Sequence, residues 1–329
     1  ERGGEGGFVA GLNDDGIALA LASLARFKMM ANALGVEMRE AVATSAARDA
    51  VNGAEFVRRA ETAWGGPVRV LSGEEEARLA AEGVLAAIPE ADGLVADLGG
   101  GSLDMVTVKA GKTGTAITLP VGPLRLMDVS KGDPDKARKF VDEGLRQIAD
   151  PARFAGRALY GVGGAWRSLA RVDMVRNDHP LHVLHGCTIP RERALKLCKV
   201  IAGLSPKSLD KMEVVSRRRA EALPYGAVVL ERLILAADLK EVVISAYGLR
   251  EGLLFERLSP EERAKDPLIA FAAGMNARLA RNPAHADEMF SWLAPLFAGE
   301  NADLRRIREA VCLFSDIGWR RHPDDRSLG

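Results

Sequence analysis

A carboxylate, three glycines and a hydroxyl follow one another closely between 97 and 102, as Asp97, Leu98, Gly99, Gly100, Gly101 and Ser102. Glycine accepts positive φ angles and close backbone approach, and successive N–H groups in such a turn form an anion-binding concavity. No Gly-Lys-Ser/Thr follows, and LDMVTVK at 103–109 is typical of a strand, so the segment is neither a P-loop nor a dinucleotide turn. We expect a phosphate-binding tip of a β-hairpin; a tight turn with no ligand is the alternative.

Two further glycine turns also follow predicted strands, at 161–164 and at 247–252. The first of them precedes a predicted helix that begins at Ala165. The N–H groups at the start of a helix bind anions, so Gly163 and Gly164 are candidate phosphate contacts. Each turn is weak evidence alone, but three strand-end glycine turns in this order are a more specific signal.

Three adjacent glutamates, Glu74, Glu75 and Glu76, open a predicted helix. Ser72 and Glu75 have the spacing of a capping box, which explains part of this acidity structurally. The helical periodicity turns Glu76 toward the protein interior, where a carboxylate beside a phosphate site would serve as a general base for water. The sequence leaves the structural and the catalytic interpretation of Glu76 equally open.

An arginine follows a predicted strand in the segment TSAARDA at 44–50. The planar guanidinium of Arg48 matches the geometry of phosphate oxygens. The alternative is that Thr44 or Ser45 caps a short helix and Arg48 lies on the surface.

A run of three arginines, Arg217, Arg218 and Arg219, precedes a long apolar helix. We interpret it as a track for a long polyanion, together with Arg320, Arg321 and His322; a solvated helix face is the alternative. The chain has 45 basic and 45 acidic residues, and this balance argues against a general nucleic-acid coat.

The elements that must position these residues alternate between strands and helices. The predicted strands are 37–44, 67–72, 93–97, 103–109, 157–162 and 241–247, and the longer helices include 17–34, 52–64, 133–147 and 222–239. After Pro260 the pattern is helical up to Phe314. Such a pattern predicts α/β domains followed by a small all-α domain.

Cysteine usage and hydropathy limit the environment of the chain. Cys187, Cys198 and Cys312 form no CxxC pair, so neither a zinc site nor a disulfide framework is expected. A reducing cytoplasm fits these cysteines best. No apolar run is long enough to span a bilayer, and we expect no membrane association.

The ordered blocks resemble the exopolyphosphatase / guanosine-pentaphosphate phosphohydrolase family over residues from about 40 to 255. They are TSAARDAVNGAEF, VLSGEEEARL, VADLGGGSLDM, LPVGPLRL, YGVGG and SAYGLREG. The resemblance implies an α/β fold of duplicated actin-like ATPase (ribonuclease H-like) domains at 1–92 and 93–258, with an all-α HD-like domain at 259–329. In the motif Ser315–Trp319 a serine replaces the histidine, so a dinuclear metal site is not expected there.

The same resemblance assigns roles to the candidate residues. It implies that Glu76 is the catalytic base, that Arg48 binds phosphate, and that Asp97 with Gly99, Gly100, Gly101 and Ser102 forms a loop for phosphate and Mg²⁺ (or Mn²⁺). Asp104 stands where the family usually carries glutamate, and we assign it to the metal. The family's first phosphate loop, of the type Asp-x-Gly-Ser-Asn-Ser, is not found in the first forty residues; we expect it upstream of Glu1, and a protein that lacks this half of the phosphate clamp is the alternative.

The implied function is an exopolyphosphatase that removes terminal phosphate from inorganic polyphosphate by metal-assisted attack of water. Guanosine pentaphosphate is the alternative substrate within the family. An actin-like ATPase and a non-catalytic polyphosphate binder are alternatives from other classes. We expect a cytoplasmic homodimer that binds no nucleic acid.

Overall fold

The computed structural model describes residues 11–148 and 150–319. They form two compact units, and the division between them lies between Phe255 and Glu256. A further domain boundary between 92 and 93 stays a prediction. No helix in the described part of the chain has the length and apolar character needed to cross a membrane.

The described part of the chain begins with a small α/β layer. Its elements are α1 (Asp14–Ala33), β1 (Ala41–Ala43), α2 (Ser45–Arg48), α3 (Gly53–Trp64) and β2 (Val68–Val70). Strands β1 and β2 pair in parallel as a two-stranded sheet. Asn13 caps α1 by accepting a hydrogen bond from the Gly16 N–H, which satisfies one of the helix's free donors.

A six-stranded mixed sheet organises the rest of the first unit. Its strands are β3 (Gly93–Leu98), β4 (Leu103–Lys109), β5 (Lys112–Leu119), β6 (Ala158–Val162), β7 (Thr188–Pro190) and β8 (Glu241–Ile244), in the spatial order β5-β4-β3-β6-β8-β7. The first three strands pair antiparallel, and β3, β6 and β8 run parallel. The carboxyl ends of these parallel strands therefore meet at one edge of the sheet.

Helices cover both faces of this sheet. They are α4 (Gly73–Ala87), α5 (Pro123–Ser130), α6 (Pro134–Leu145), α7 (Gly164–Arg176), α8 (Arg191–Ala202), α9 (Pro206–Asp210), α10 (Arg217–Ala220), α11 (Leu223–Ala236) and α12 (Leu249–Phe255). Successive residues of a strand point to opposite faces, and β3 follows this rule. Leu94 and Ala96 join the core under α7 and α11, whereas Val95 joins the core under α4.

Glycines allow α4 and α12 to cross at very short range. A Cβ at Gly83 would lie 2.1 Å from the Gly248 carbonyl oxygen, and one at Gly252 would lie 1.8 Å from that of Leu79. Because both oxygens belong to the backbone, relieving either clash would require one of the two helices to shift as a whole. The crossing therefore fixes α12, and with it Leu249 at the edge of the candidate site.

We expect Gly252→Ala to destabilise the protein by about 1–3 kcal/mol, because the added methyl group overpacks the crossing. The control is Gly203→Ala, since a Cβ at Gly203 would meet only ordinary contacts at 3.6 Å. Urea unfolding followed by circular dichroism would measure both variants. Equal stability of Gly252→Ala and wild type would contradict the close crossing.

The second unit is helical, with α13 (Pro260–Arg263), α14 (Pro267–Leu279), α15 (His285–Leu293) and α16 (Ala302–Phe314). Its small core contains Ala272, Ala286, Ala310 and Leu313. The helical tail predicted after Pro260 is confirmed.

Four elements were absent from the sequence predictions: β5, α5, β7 and α12, the last of which begins within the glycine turn expected at 247–252. The turn into β5 is a tight hairpin in which Ala110 and Gly111 have φ angles of 50° and 71°, as a type I′ turn requires. The predicted strands at 37–44 and 67–72 are shorter than expected, since pairing is confined to Ala41–Ala43 and Val68–Val70.

Candidate active site

A cavity of about 440 Å³ opens at the carboxyl ends of the central strands. Five segments line it: α2 with the turn after it, the start of α4, the β3–β4 loop, α5 and the start of α12. The lining residues used below are Ser45, Asp49, Glu76, Asp97, Gly99, Gly100, Gly101, Ser102, Asp104, Leu124, Arg125, Asp128 and Leu249. Most of the residues that the sequence singled out thus meet in one place.

The β3–β4 loop is the tip of a hairpin, as predicted. Asp97 and Asp104 lie opposite each other in the antiparallel register, and the Gly99 N–H donates to the Ser102 carbonyl at 3.0 Å. The N–H groups of Gly100 and Gly101 donate to no other described residue. The loop therefore presents free backbone donors at the cavity, which suits an anion.

Glu76 lies in the first turn of α4 and is only 7% exposed. The capping box is confirmed, since the Ser72 hydroxyl accepts from the Glu75 N–H while the Glu75 carboxylate accepts from the Ser72 N–H. Glu75 thus stabilises the helix end, and Glu76 turns inward. Burial raises the pKa of the Glu76 carboxyl, and the Arg48 guanidinium opposes that shift.

Arg48 sits beside this glutamate at the end of α2. Its Nη1 donates both to Glu76 and to the Leu71 carbonyl, the latter at 2.6 Å, and its Nε donates to Asp49 at 3.1 Å. These contacts hold the guanidinium next to the carboxylate. Arg48 is thus placed to orient the candidate base, but it is not among the residues that line the cavity, and its contact with a phosphate stays a prediction.

The two aspartates at the base of the loop have raised pKa values. Burial, reinforced by the charges of Asp104 and Glu76, raises the pKa of Asp97 to about 7. Burial also raises the pKa of Asp104, and the nearby hydroxyls of Thr118 and Ser102 oppose that effect. Three carboxyl groups gathered in one cavity disfavour one another's ionised forms, which is the condition that a bound cation would relieve.

The donor set of this cavity fits Mg²⁺. Oδ2 of Asp104 accepts from the Ser102 hydroxyl at 2.9 Å, whereas the buried Oδ1 has no hydrogen-bond partner among the described residues. No group of three or more His, Cys, Asp or Glu side chains suited to a metal occurs in that part of the chain. Mg²⁺ usually takes only one or two carboxylates and completes its shell with water and substrate phosphates, so Asp97 and Asp104 suffice.

The second glycine turn lies next to this loop. Gly163 caps α7 with a φ of 108°, and a Cβ there would lie 2.5 Å from the Leu98 carbonyl oxygen and 3.2 Å from Oδ1 of Asp97. Gly163 is therefore required for the close approach of β6 to β3. Gly164 lines a second recess of about 280 Å³, which shares Gly99, Gly100 and Leu124 with the first cavity.

The arginine run does not form one continuous surface. Arg217 and Arg218 are exposed, and Arg217 lies 3.6 Å from Asp210. Arg219 is half-buried and donates to the Gly164 carbonyl at 2.7 Å, in the second recess. The other three predicted members of the track, 320–322, lie outside the described residues.

Sequence reasoning missed the contribution of α5. Arg125 and Asp128 of this helix line the main cavity. The Gly122-Pro123 pair could have revealed the helix, because proline is favoured at the first helical position. In the second unit, Asp316 of the HD-like motif pairs with Arg281 at 2.6 Å, so its carboxylate serves that unit's packing.

Comparison with known proteins agrees with this geometry. The model of the Ppx/GppA phosphatase family matches residues 6–261, and that of the exopolyphosphatase C-terminal domain matches residues 268–329. A solved structure of the PPX-GPPA enzyme of Aquifex aeolicus is 27% identical, with a TM-score of 0.63 over 75% of this chain and 85% of that one. An exopolyphosphatase from Cytophaga hutchinsonii is 21% identical, with a TM-score of 0.68 over 75% of this chain and 83% of that one, and it bears on the fold alone.

The fold class is thereby confirmed as that of the actin-like ATPases, with a helical C-terminal domain. The cavity combines free backbone donors, an inward carboxylate paired with an arginine, and two facing aspartates, which together suit the hydrolysis of a phosphate bond. With a family model matched over most of its length, this chain belongs to the Ppx/GppA phosphatase family and is a phosphohydrolase.

Proposed function

We propose that the protein is an exopolyphosphatase, which releases orthophosphate from the end of inorganic polyphosphate. The observation that carries the proposal is the convergence of Glu76, Asp97 and Asp104 on a loop with free N–H groups. Such a site binds a terminal phosphate without any requirement for a nucleoside. The match of the exopolyphosphatase C-terminal model to residues 268–329 also supports it.

The residues act on different parts of the reaction. The free N–H groups of the glycine loop hold phosphate oxygens of the substrate, and Glu76 accepts a proton from the water that attacks the terminal phosphate. Arg48 keeps the Glu76 carboxylate oriented. Mg²⁺ or Mn²⁺ held by Asp97 and Asp104 would shield the negative charge of the phosphates. The shortened chain leaves as the other product.

Guanosine pentaphosphate is the second candidate substrate. The observation that favours it is the recess beside the main cavity, lined by Gly164, Ala165, Arg219 and Leu223. A largely apolar recess next to a phosphate site could take an uncharged group at the far end of a substrate. Comparing the kcat/KM values of the two substrates would decide between them.

The experiment that tests the proposed function is orthophosphate release from purified long-chain polyphosphate. We expect release that depends on added Mg²⁺ or Mn²⁺ and that stops with excess chelator. Chain-end attack should produce orthophosphate from the start, with no early appearance of mid-length chains on a gel. Undiminished release in excess chelator would rule out the metal-assisted route.

The exposed arginines offer a test of the polyanion track. We expect Arg217→Ala/Arg218→Ala to weaken binding of long-chain polyphosphate and to flatten its salt dependence, because each phosphate contact releases counterions. Tripolyphosphate should bind as before, because Arg217 and Arg218 line neither the cavity nor the second recess. Arg219→Ala is the contrasting variant, since its contact with Gly164 should make it affect both substrates.

Binding measured across a salt series would show the difference. An equal loss of affinity for both substrates in the Arg217/Arg218 variant would show that these arginines do not form a polyanion track.

A further inference from the structure

We infer that Arg125 is a specificity-determining residue that binds the phosphate next to the one released. This inference rests on the proposed function, because it assigns a substrate contact within the same cavity. It starts from the position of α5, whose side chains form one wall of that cavity.

The start of α5 is fastened to the glycine loop. The Leu124 N–H donates to the Gly100 carbonyl at 2.9 Å, and the Gly122 N–H donates to that of Gly101 at 3.2 Å. A Cβ at Gly122 would lie 2.4 Å from the Gly100 carbonyl oxygen, so only glycine allows this approach. The backbone of Arg125 is thereby held at a fixed place beside the loop.

Arg125 is a basic residue in a cavity that is lined mainly by acidic side chains among its charged groups. Five carboxylates line the cavity, those of Asp49, Glu76, Asp97, Asp104 and Asp128. Arg48 is already engaged with Glu76, Leu71 and Asp49. Arg125 is half-buried, and its guanidinium makes no hydrogen bond or ion pair with another described residue. Its five donors are therefore available to a ligand.

The geometry of the loop separates two phosphate positions. Asp97 and Asp104 face each other where the hairpin strands leave the loop, and Glu76 lines the same cavity, so the phosphate under attack lies at this base. The α5 helix is bonded instead to Gly100 and Gly101 at the tip. The second recess adjoins the main cavity on the tip side of the loop, where Gly99, Gly100 and Leu124 line both. A substrate longer than one phosphate thus extends from the base toward the tip, and past α5.

A guanidinium at this position would bind the oxygens of the second phosphate and stabilise the charge that develops on the leaving group. The enzyme would then prefer phosphoanhydrides to lone phosphate. Orthophosphate occupies only the base of the loop and should not require Arg125.

The test is calorimetric binding of tripolyphosphate and of orthophosphate, in a Glu76→Gln background that prevents hydrolysis. We expect Arg125→Ala to weaken tripolyphosphate about 10–100-fold, as the loss of charge-assisted hydrogen bonds does, and to leave orthophosphate unchanged. Arg125→Lys should restore part of the affinity. The control is Arg146→Ala, which removes an exposed arginine that does not line the cavity.

Equal weakening of both ligands would overturn the inference, since Arg125 would then contact the terminal phosphate or support the fold. Unchanged binding of both ligands, or no tripolyphosphate binding by the parent protein, would overturn it as well. The proposed function fails separately: if wild type releases no orthophosphate, while Arg125→Ala selectively weakens tripolyphosphate, the contact stands and the hydrolytic role does not.

Discussion

Glu76→Gln should lower kcat for phosphate release by about 10²–10⁴-fold, the range that loss of a general base produces. Glutamine keeps the size of the side chain and an oxygen that can accept from Arg48, so the cavity should keep its shape. Substrate binding and the thermal midpoint should therefore stay near those of wild type. Initial rates and a melting curve on the same preparation would measure both properties.

Glu75→Gln is the matched control, because the residue is adjacent and carries the same charge. Its carboxylate accepts from the Ser72 N–H at 2.8 Å, and glutamine also completes a capping box. This variant should remain active. A Glu76→Gln variant that melts much earlier, or that turns over like wild type, would show that Glu76 only supports the helix.

The pH profile gives a second view of the same residue. The base must be ionised to accept a proton, and burial raises the pKa of Glu76. The acidic limb of kcat/KM should therefore lie above the pKa of an ordinary glutamate, and activity should fall as the pH drops through it.

Asp104→Asn should nearly abolish phosphate release and should weaken Mg²⁺ and Mn²⁺ binding. The effect should exceed the about 10–100-fold that loss of an outer-shell partner costs, because Asp104 is proposed to contact the metal. Asparagine keeps the size of the side chain but is uncharged, because an amide NH2 group replaces one of the two carboxylate oxygens. Metal titration by calorimetry and initial rates across metal concentration would measure the loss.

Asp104→Glu is the control, since glutamate restores the carboxylate and is the residue usual at this position in the family that the sequence resembles. It should retain substantial activity. If Asp104→Asn kept wild-type rates at low metal concentration, Asp104 would have no role in holding the ion. If both variants unfolded, its hydrogen bond with Ser102 would be a fold contact instead.

The central strands were predictable because their signals are local. GLVAD and LDMVTVK are apolar runs separated by a glycine turn, which fixes an antiparallel hairpin with little help from the rest of the chain. Strand β5 was missed because its only strong signal is the Ala110-Gly111 turn, in which a non-glycine residue adopts a positive φ. Its residues are also only partly buried, so no clear alternation marks them.

The candidate site was predictable where residue type alone limits the chemistry, as for Glu76 and the glycine loop. The different roles of the individual arginines were not predictable. Arg219 looked equivalent to its neighbours in sequence, yet its side chain donates to the Gly164 carbonyl. This contact forms because the end of α10 and the start of α11 line the second recess together with Gly164. Arg125 lies in the block LPVGPLRL, to which the sequence assigned no site residue, and only the docking of α5 onto the loop brings it to the cavity.

The most direct test of the proposed mechanism is phosphate release in water labelled with heavy oxygen. Attack of water on the terminal phosphorus should place one labelled oxygen atom in each orthophosphate released, provided that Mg²⁺ or Mn²⁺ is present. The Glu76→Gln variant should release almost none. Label found in the shortened chain instead of in orthophosphate, or undiminished release by Glu76→Gln, would contradict the account.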